Sequence, residues 1–110
     1  MALNTFAGSR ADKETRLLQF VCGATEDQPA RESVIRMLAD YAWLDAYNEI
    51  LFEAIRGLFA RNSRGILEHL PGELTRRGFP DLPWEPLKQR SRLASVEAVT
   101  LAGELLRSAK

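Results

Sequence analysis

The clearest hydrophobic pattern in the chain follows Asp45. Apolar residues recur there every three or four positions, at Tyr47, Ile50, Leu51, Ala54, Ile55, Leu58 and Phe59. A strand alternates its side chains and cannot produce this spacing, whereas one face of an α-helix does. The polar Glu49, Glu53 and Arg56 lie together on the other side. The pattern predicts an amphipathic helix that ends near Asn62 and Gly65, with Tyr47 and Phe59 in the core and Phe52 at the edge of the apolar face.

Two helices are predicted before this one. Residues 12–22 form the first, with Ser9 and Asp12 at its start and Gly23 as its stop. Its apolar side carries Leu17, Leu18, Val21 and Cys22. The second ends near Tyr41, and its start signals are Thr25, Glu26, Asp27 and Pro29. Its apolar positions are Val34, Ile35, Leu38 and Ala39.

Two more helices are predicted after it. A short fourth helix carries Leu67, Leu70 and Leu74 and ends at Gly78, with Pro71 placed in its first turn. Residues 81–86 form a proline-rich bend that holds Trp84. From Leu87 onward a final long helix is expected, with apolar residues at Leu93, Val96, Val99, Leu101, Ala102, Leu105 and Leu106.

These segments predict an all-α fold, a compact bundle of about five helices. We expect a flexible leader over residues 1–9 and a single helical domain over residues 10–110, since 110 residues suit one core. No apolar run approaches the roughly 20 residues that a membrane span needs, and the N-terminus lacks a signal-peptide core. The expected location is therefore the cytoplasm.

Composition argues against most catalytic chemistry. Cys22 is the only cysteine and His69 the only histidine, so neither a disulfide nor a usual zinc ligand set is available within the chain. The glycines and serines match no phosphate-binding loop, dinucleotide fingerprint or nucleophile elbow. We expect no enzyme activity, no cofactor and no metal, with Cys22 packed in the core.

Charged and aromatic residues are the remaining candidates for binding. Lysine and arginine balance aspartate and glutamate, 15 against 15, which argues against a broad nucleic-acid footprint. Arg76 and Arg77 suit the negative end of a helix dipole. A second basic group comprises Lys88, Arg90 and Arg92. Trp43 and Trp84 lie in bends, where they either plug the core or contact a partner.

The segment from Trp43 to Ile55, WLDAYNEILFEAI, resembles the N-terminal domain of bacterial replicative DNA helicases of the DnaB type. That family has an aromatic pair, a polar spacer and then a helix reading His-Arg-x-Ile-Phe-x-Ala-Ile. The similarity continues to a leucine-spaced helix closing in Arg-Arg-Gly, here at residues 76–78, and covers about residues 14–80. Asn48 replaces the family's histidine, and residues 62–65 replace a Gly-x-Pro turn. The family's ATPase domain has no counterpart in this sequence, so helicase activity is not implied.

The resemblance implies self-association and docking of replication proteins such as helicase, primase or a loader. We therefore expect a non-enzymatic protein–protein interaction module that forms a homodimer. The final helix is apolar around much of its circumference, which favours pairing with a second copy. The predicted partner-binding residues are Trp43, Trp84, Leu93, Val96, Leu101, Leu105 and Leu106. The alternatives are a small helix-turn-helix DNA-binding regulator, with residues 66–78 as one helix, and an accessory subunit of an enzyme.

Overall fold

A computed structural model describes residues 8–23, 28–61, 65–89 and 91–108 of the chain. Over these residues the chain forms five α-helices and a short 3₁₀ helix at Glu85–Lys88. The α-helices are α1 (Arg10–Cys22), α2 (Gln28–Leu38), α3 (Ala46–Arg61), α4 (Ile66–Arg76) and α5 (Ser95–Ser108). The described ranges contain no strand, and the predicted all-α fold with five helices is confirmed.

Helix α1 lies at the centre of the bundle. It packs against α2, α3, α5 and the 3₁₀ helix, while α2 also packs on α5, and α3 on α4. Leu17, Leu18, Phe20 and Val21 of α1 are completely buried because these neighbours surround the helix. The bundle measures 45 × 26 × 23 Å.

The start of α1 is the capping box predicted from Ser9 and Asp12. The Ser9 hydroxyl accepts from the Asp12 amide at 3.1 Å, and the Asp12 carboxylate accepts from the Ser9 amide at 3.4 Å. Helix α2 ends at Leu38, slightly earlier than predicted. Its predicted start signals at residues 25–27, and residues 1–7 of the predicted leader, lie outside the described residues.

Helix α3 is present as predicted, but its buried face is rotated. Tyr47, predicted to be core, is exposed, whereas Phe52, predicted at the edge, is completely buried. Two contacts select this rotation. Trp43 packs on Phe52 with ring centroids 5.0 Å apart, and Asn48 hydrogen-bonds Glu14 of α1. The first turn therefore directs Asn48 inward and leaves Tyr47 in solvent.

The prediction that Pro71 lies in the first turn of α4 is wrong. The helix begins at Ile66, directly after Gly65 in the left-handed conformation (φ 67°), so Pro71 lies inside it. A proline there costs about 3 kcal/mol, because the Leu67 carbonyl loses its helical partner. Ile66 and Leu70 are both buried. Burying two such side chains gains about 1.5–3 kcal/mol each, which offsets the proline.

Helix α4 ends at Arg76, and the predicted stop signal, Gly78, follows in the left-handed conformation (φ 95°). The Phe79 amide donates to the Leu74 carbonyl at 2.8 Å and the Gly78 amide to the Thr75 carbonyl at 3.0 Å. This is a Schellman motif, in which a left-handed residue, most easily glycine, lets two late carbonyls find partners.

The prediction that a long helix runs from Leu87 onward is wrong. Helix α5 begins at Ser95, and residues 91–94, including Leu93, precede it in irregular conformation. The Glu97 carboxylate accepts from the Ala94 amide at 2.8 Å, so an acidic side chain three residues into the helix binds back to its start. Upstream, Leu87 is buried against the core by the 3₁₀ helix instead.

Candidate functional site

Glu14 organises the connection between α2 and α3. It lies on the buried face of α1, completely inaccessible to solvent. Its carboxylate accepts from the Leu44 amide at 2.7 Å and the Asp45 amide at 3.2 Å. It also accepts from the Asn48 side-chain amide at 3.2 Å. A single side chain of α1 therefore fixes the backbone immediately before α3.

Asp45 caps α3 from the same segment. Its Oδ1 accepts from the amides of Tyr47 at 2.8 Å and Asn48 at 3.2 Å. These amides belong to the first turn and have no partner within the helix. Asp45 therefore pairs two first-turn amides of α3, while Glu14 pairs the two backbone amides just before the helix.

Tyr41 extends this network toward solvent. Its hydroxyl donates to Glu14 Oε2 at 2.6 Å and accepts from Arg10 Nε at 2.7 Å. Arg10 also binds the Ala42 carbonyl. Burial, followed by the hydrogen bond to Glu14, raises the pKa of the Tyr41 hydroxyl to about 12, because both disfavour a phenolate.

The fixed segment exposes two large apolar side chains. Leu44 is 58% exposed and Tyr47 is 59% exposed. Tyr47 also lines a cleft of about 140 Å³, whose other walls include the exposed Pro83 and Pro86. We call Leu44, Tyr47, Pro83 and Pro86 the tyrosine surface. A rigid aromatic residue flanked by prolines is a feature that protein partners use, because little side-chain freedom is lost on contact.

The two tryptophans pack on the chain's own core. The Trp43 ring lies edge-on to Tyr41 and tilted on Phe52, both at 5.0 Å between centroids. Trp84 is partly buried, with the Lys88 ammonium 4.8 Å from its ring centre. Both rings are therefore partly buried against the core, and contact of their remaining surface with a partner stays a prediction.

The predicted partner-binding residues near the C-terminus occupy different environments. Leu101 and Leu105 are buried in the core, where α5 packs on α1 and α2. Leu93 and Leu106 are partly buried against that core. Val96 remains 77% exposed at the start of α5. The burial of Leu101 and Leu105 thus needs no second copy of the chain.

A second buried carboxylate, Glu73 of α4, binds three arginines. It accepts from Arg61 Nη2 at 2.8 Å, from Arg76 Nη2 at 2.7 Å and from Arg77 Nε at 2.7 Å. We call these four side chains the arginine cluster. The hydrogen bonds from Arg76, Arg61 and Arg77 outweigh the desolvation of Glu73 and lower the pKa of its carboxyl to about 2.

A cleft of about 420 Å³ adjoins the arginine cluster. Its walls include Arg61, Glu73 and Arg76, with Leu58 and Ile66 as apolar components and His69 at one side. Ile66 is almost completely buried and Leu58 only partly so, and Leu58 therefore offers apolar surface beside the charged groups.

Cys22 and His69 differ sharply in environment. Cys22 is buried as predicted, and burial raises the pKa of its thiol to about 12, so it carries a proton at neutral pH. His69 is exposed on α4. Within the described ranges, no group of three or more histidine, cysteine, aspartate or glutamate residues is arranged to hold a metal ion.

Sequence reasoning missed the roles of both buried glutamates. Glu73 precedes Arg76 and Arg77 by three and four residues, a spacing that signals helical ion pairs. The sequence interpretation assigned these arginines to the helix dipole instead. Glu14 has no comparable signal, because Tyr41 and Asn48 lie 27 and 34 residues away in the chain.

Comparison of the chain with family models, curated proteins and solved structures found no match. In the part of the chain that is described, no helix is long and apolar enough to cross a bilayer.

Proposed function

We propose that this chain is a non-enzymatic protein–protein interaction module, similar in role to the N-terminal domain of DnaB-type helicases. The observation that carries the proposal is the exposure of Leu44 and Tyr47 on a segment that Glu14 and Asp45 hold in place. The proposed docking site is the tyrosine surface.

The energetics of the tyrosine surface favour a partner. Full burial of an exposed large apolar side chain gains about 1.5–3 kcal/mol, and covering Leu44 or Tyr47, each a little over half exposed, would gain roughly half of that. If the side chain lay on a mobile loop, the conformational entropy lost on ordering that loop would cancel part of this gain. Here the Leu44 amide is bound to Glu14, and the Tyr47 amide to Asp45, so the backbone is ordered before any contact is made.

Self-association follows as the first form of docking to test. The proposed homodimer forms through the tyrosine surface. Val96 of α5, which stays exposed while the other predicted C-terminal residues are buried or partly buried, is a second candidate contact. Helicase, primase and helicase-loader proteins are the further partners that the resemblance implies. The docking surface itself is proposed from exposure and rigidity.

Sedimentation velocity at micromolar concentration tests the homodimer. We expect the wild-type chain to sediment as a dimer and Tyr47→Asp as a monomer of 12.4 kDa. Val96→Asp determines whether α5 takes part. Ala60→Asp, at another exposed position of α3, is the matched control and should stay dimeric. A wild-type monomer that also fails to bind purified helicase, primase or loader would contradict the proposal.

The helix-turn-helix alternative has less support. It needed Arg76 and Arg77 for DNA phosphates, but both guanidinium groups bind Glu73. With Arg61 they share one carboxylate, which leaves a surplus of two positive charges, fewer than a row of DNA phosphates needs, and the whole chain carries no net charge. Detectable binding of duplex DNA at low salt would support the helix-turn-helix alternative.

A further inference from the structure

We infer that the cleft beside the arginine cluster binds an acidic segment of a partner protein through Arg61 and Arg76. This inference rests on the proposed function, since it assumes an interaction module. It adds a second surface, of different chemistry, to the tyrosine surface.

The arginine cluster has more positive charge than its own carboxylate can neutralise. Three guanidinium groups surround one carboxylate, which leaves a local surplus of two positive charges in a chain whose total charge is zero. The side chains of Arg61 and Arg76 are 55% and 64% exposed, whereas that of Glu73 is 4% exposed. Solvent therefore meets cationic groups, with the compensating carboxylate beneath them.

Glu73 also holds the guanidinium groups in place. Arg61 binds Glu73 Oε1 and the Gly57 carbonyl, while Arg76 donates to both Glu73 oxygens at 2.7 and 2.8 Å. Each planar guanidinium retains N–H groups beyond those it uses here. Two arginines fixed in this way are prepared to receive carboxylates, because the entropy of ordering their long side chains is already lost.

The chemistry of the cleft favours a peptide over a free anion. The partly buried Leu58 provides apolar surface beside the guanidinium groups, and a phosphate ion would leave this surface uncovered. A segment that alternates acidic and apolar side chains satisfies both components. A nucleic-acid strand needs a longer row of cations than this cleft supplies.

The test uses a synthetic peptide of repeated Glu-Glu-Leu units, titrated into the isotope-labelled full chain and followed by ¹H–¹⁵N NMR. We expect shift changes concentrated at residues 57–61 and 66–76, with binding that weakens as salt rises. Arg61→Gln and Arg76→Gln should each weaken binding about tenfold, a loss of roughly 1.4 kcal/mol. Circular dichroism confirms that each variant folds.

Arg56→Gln is the matched control. Arg56 lies on α3, is comparably exposed and pairs with Glu53 away from the cleft, so its loss should not change peptide binding. A Gln-Gln-Leu peptide of equal length tests the need for charge, and inorganic phosphate tests the need for a peptide. Absent shifts, equal binding of the Gln peptide, equal binding of phosphate, or unchanged binding by both arginine variants would each overturn the inference.

The Tyr47→Asp variant separates this inference from the proposed function. It should lose self-association yet bind the acidic peptide as the wild type does, because Tyr47 and Arg61 lie at opposite ends of α3. Intact Tyr47-dependent association without peptide binding would refute the acidic-segment inference alone. Peptide binding in a chain that never associates with a partner would refute the tyrosine surface alone.

Discussion

The two buried glutamates lie at opposite ends of α3 and bind entirely different partners. Glu14, at the N-terminal end, accepts from two backbone amides, a phenol and a carboxamide, all electrically neutral donors. Glu73, near the C-terminal end, accepts from three arginine side chains. Asn48 binds Glu14, and Gly57 lies beside Glu73, so nine residues of α3 separate the two sites by roughly 14 Å along the helix axis.

The difference shows how the partners of a buried carboxylate determine its role. The donors of Glu14 are part of the fold, and losing the carboxylate leaves buried polar groups without a partner. The donors of Glu73 lie partly in solvent, where water can replace the carboxylate. We therefore expect Glu14 to matter more for stability and Glu73 to matter more for the surface.

The largest expected effect is that of Glu14→Ala. It removes the acceptor for the buried Tyr41 hydroxyl and Asn48 carboxamide and for two backbone amides, and unfolding free energy should fall by about 3–5 kcal/mol, since each unpaired buried donor costs about 1–3 kcal/mol. Urea denaturation measures the loss, and hydrogen exchange should report faster exchange at the Leu44 amide. The exposed Glu49→Gln on α3 should change stability by less than about 0.5 kcal/mol. Equal effects of Glu14→Ala and Glu49→Gln would show that the hydrogen bonds of Glu14 do not stabilise the fold.

Glu73→Gln should have a smaller effect, about 2 kcal/mol at neutral pH, because its hydrogen bonds are charge-assisted but its arginines reach water. The pKa of this carboxyl is about 2 in the fold against an ordinary 4.5. Its stabilisation is therefore complete above pH 4.5 and lost as pH falls toward 2. The difference between wild type and variant, measured by denaturation, should shrink across that range. A constant difference would show that charge is not its source.

Tyr41→Phe should cost about 1 kcal/mol, since it removes one donor to Glu14 while leaving the ring packed on Trp43. The pKa of Tyr41 is about 12 in the fold against an ordinary 10. Its contribution is complete below pH 10 and lost as pH rises through 12, the reverse of the Glu73 range. Ultraviolet absorbance followed against pH, in the wild type and in Tyr41→Phe, should show that the phenolate formed at the higher pH belongs to Tyr41. Early titration of this residue would contradict its hydrogen bond to Glu14.

The smallest expected effect is that of Gly57→Ala. A Cβ at Gly57 would lie 2.8 Å from the Arg77 guanidinium, so that flexible group must move away. The higher helix propensity of alanine should raise the free energy of unfolding by about 1 kcal/mol. Displacement of Arg77 from its ion pair with Glu73 should lower it by up to about the same amount. We expect a net change within about 0.5 kcal/mol. In an Arg77→Ala background, Gly57→Ala should instead stabilise by about 1 kcal/mol, which a double-mutant cycle of urea denaturation measures. If Gly57→Ala had equal effects in both backgrounds, the position of the Arg77 guanidinium would not depend on the absence of a Cβ at residue 57.

Much of the fold was determined locally. The number of helices, the capping box at Ser9 and the glycine end of α4 follow from periodicity and from residues a few positions apart, because helices satisfy their backbone groups within one segment. Burial of Cys22 and of most apolar positions follows from the same pattern.

Tertiary structure decided what depends on distant partners. The rotation of α3 that buries Phe52 and exposes Tyr47 follows from Trp43 and Glu14, neither of which belongs to that helix. Burial of Ile66 and Leu70 lets α4 begin before Pro71, although proline disfavours the interior of a helix. The Glu14 network joins residues about thirty positions apart. Hydrogen bonds and packing between segments are settled only when the segments meet, so periodicity along one helix cannot specify which side chain remains exposed.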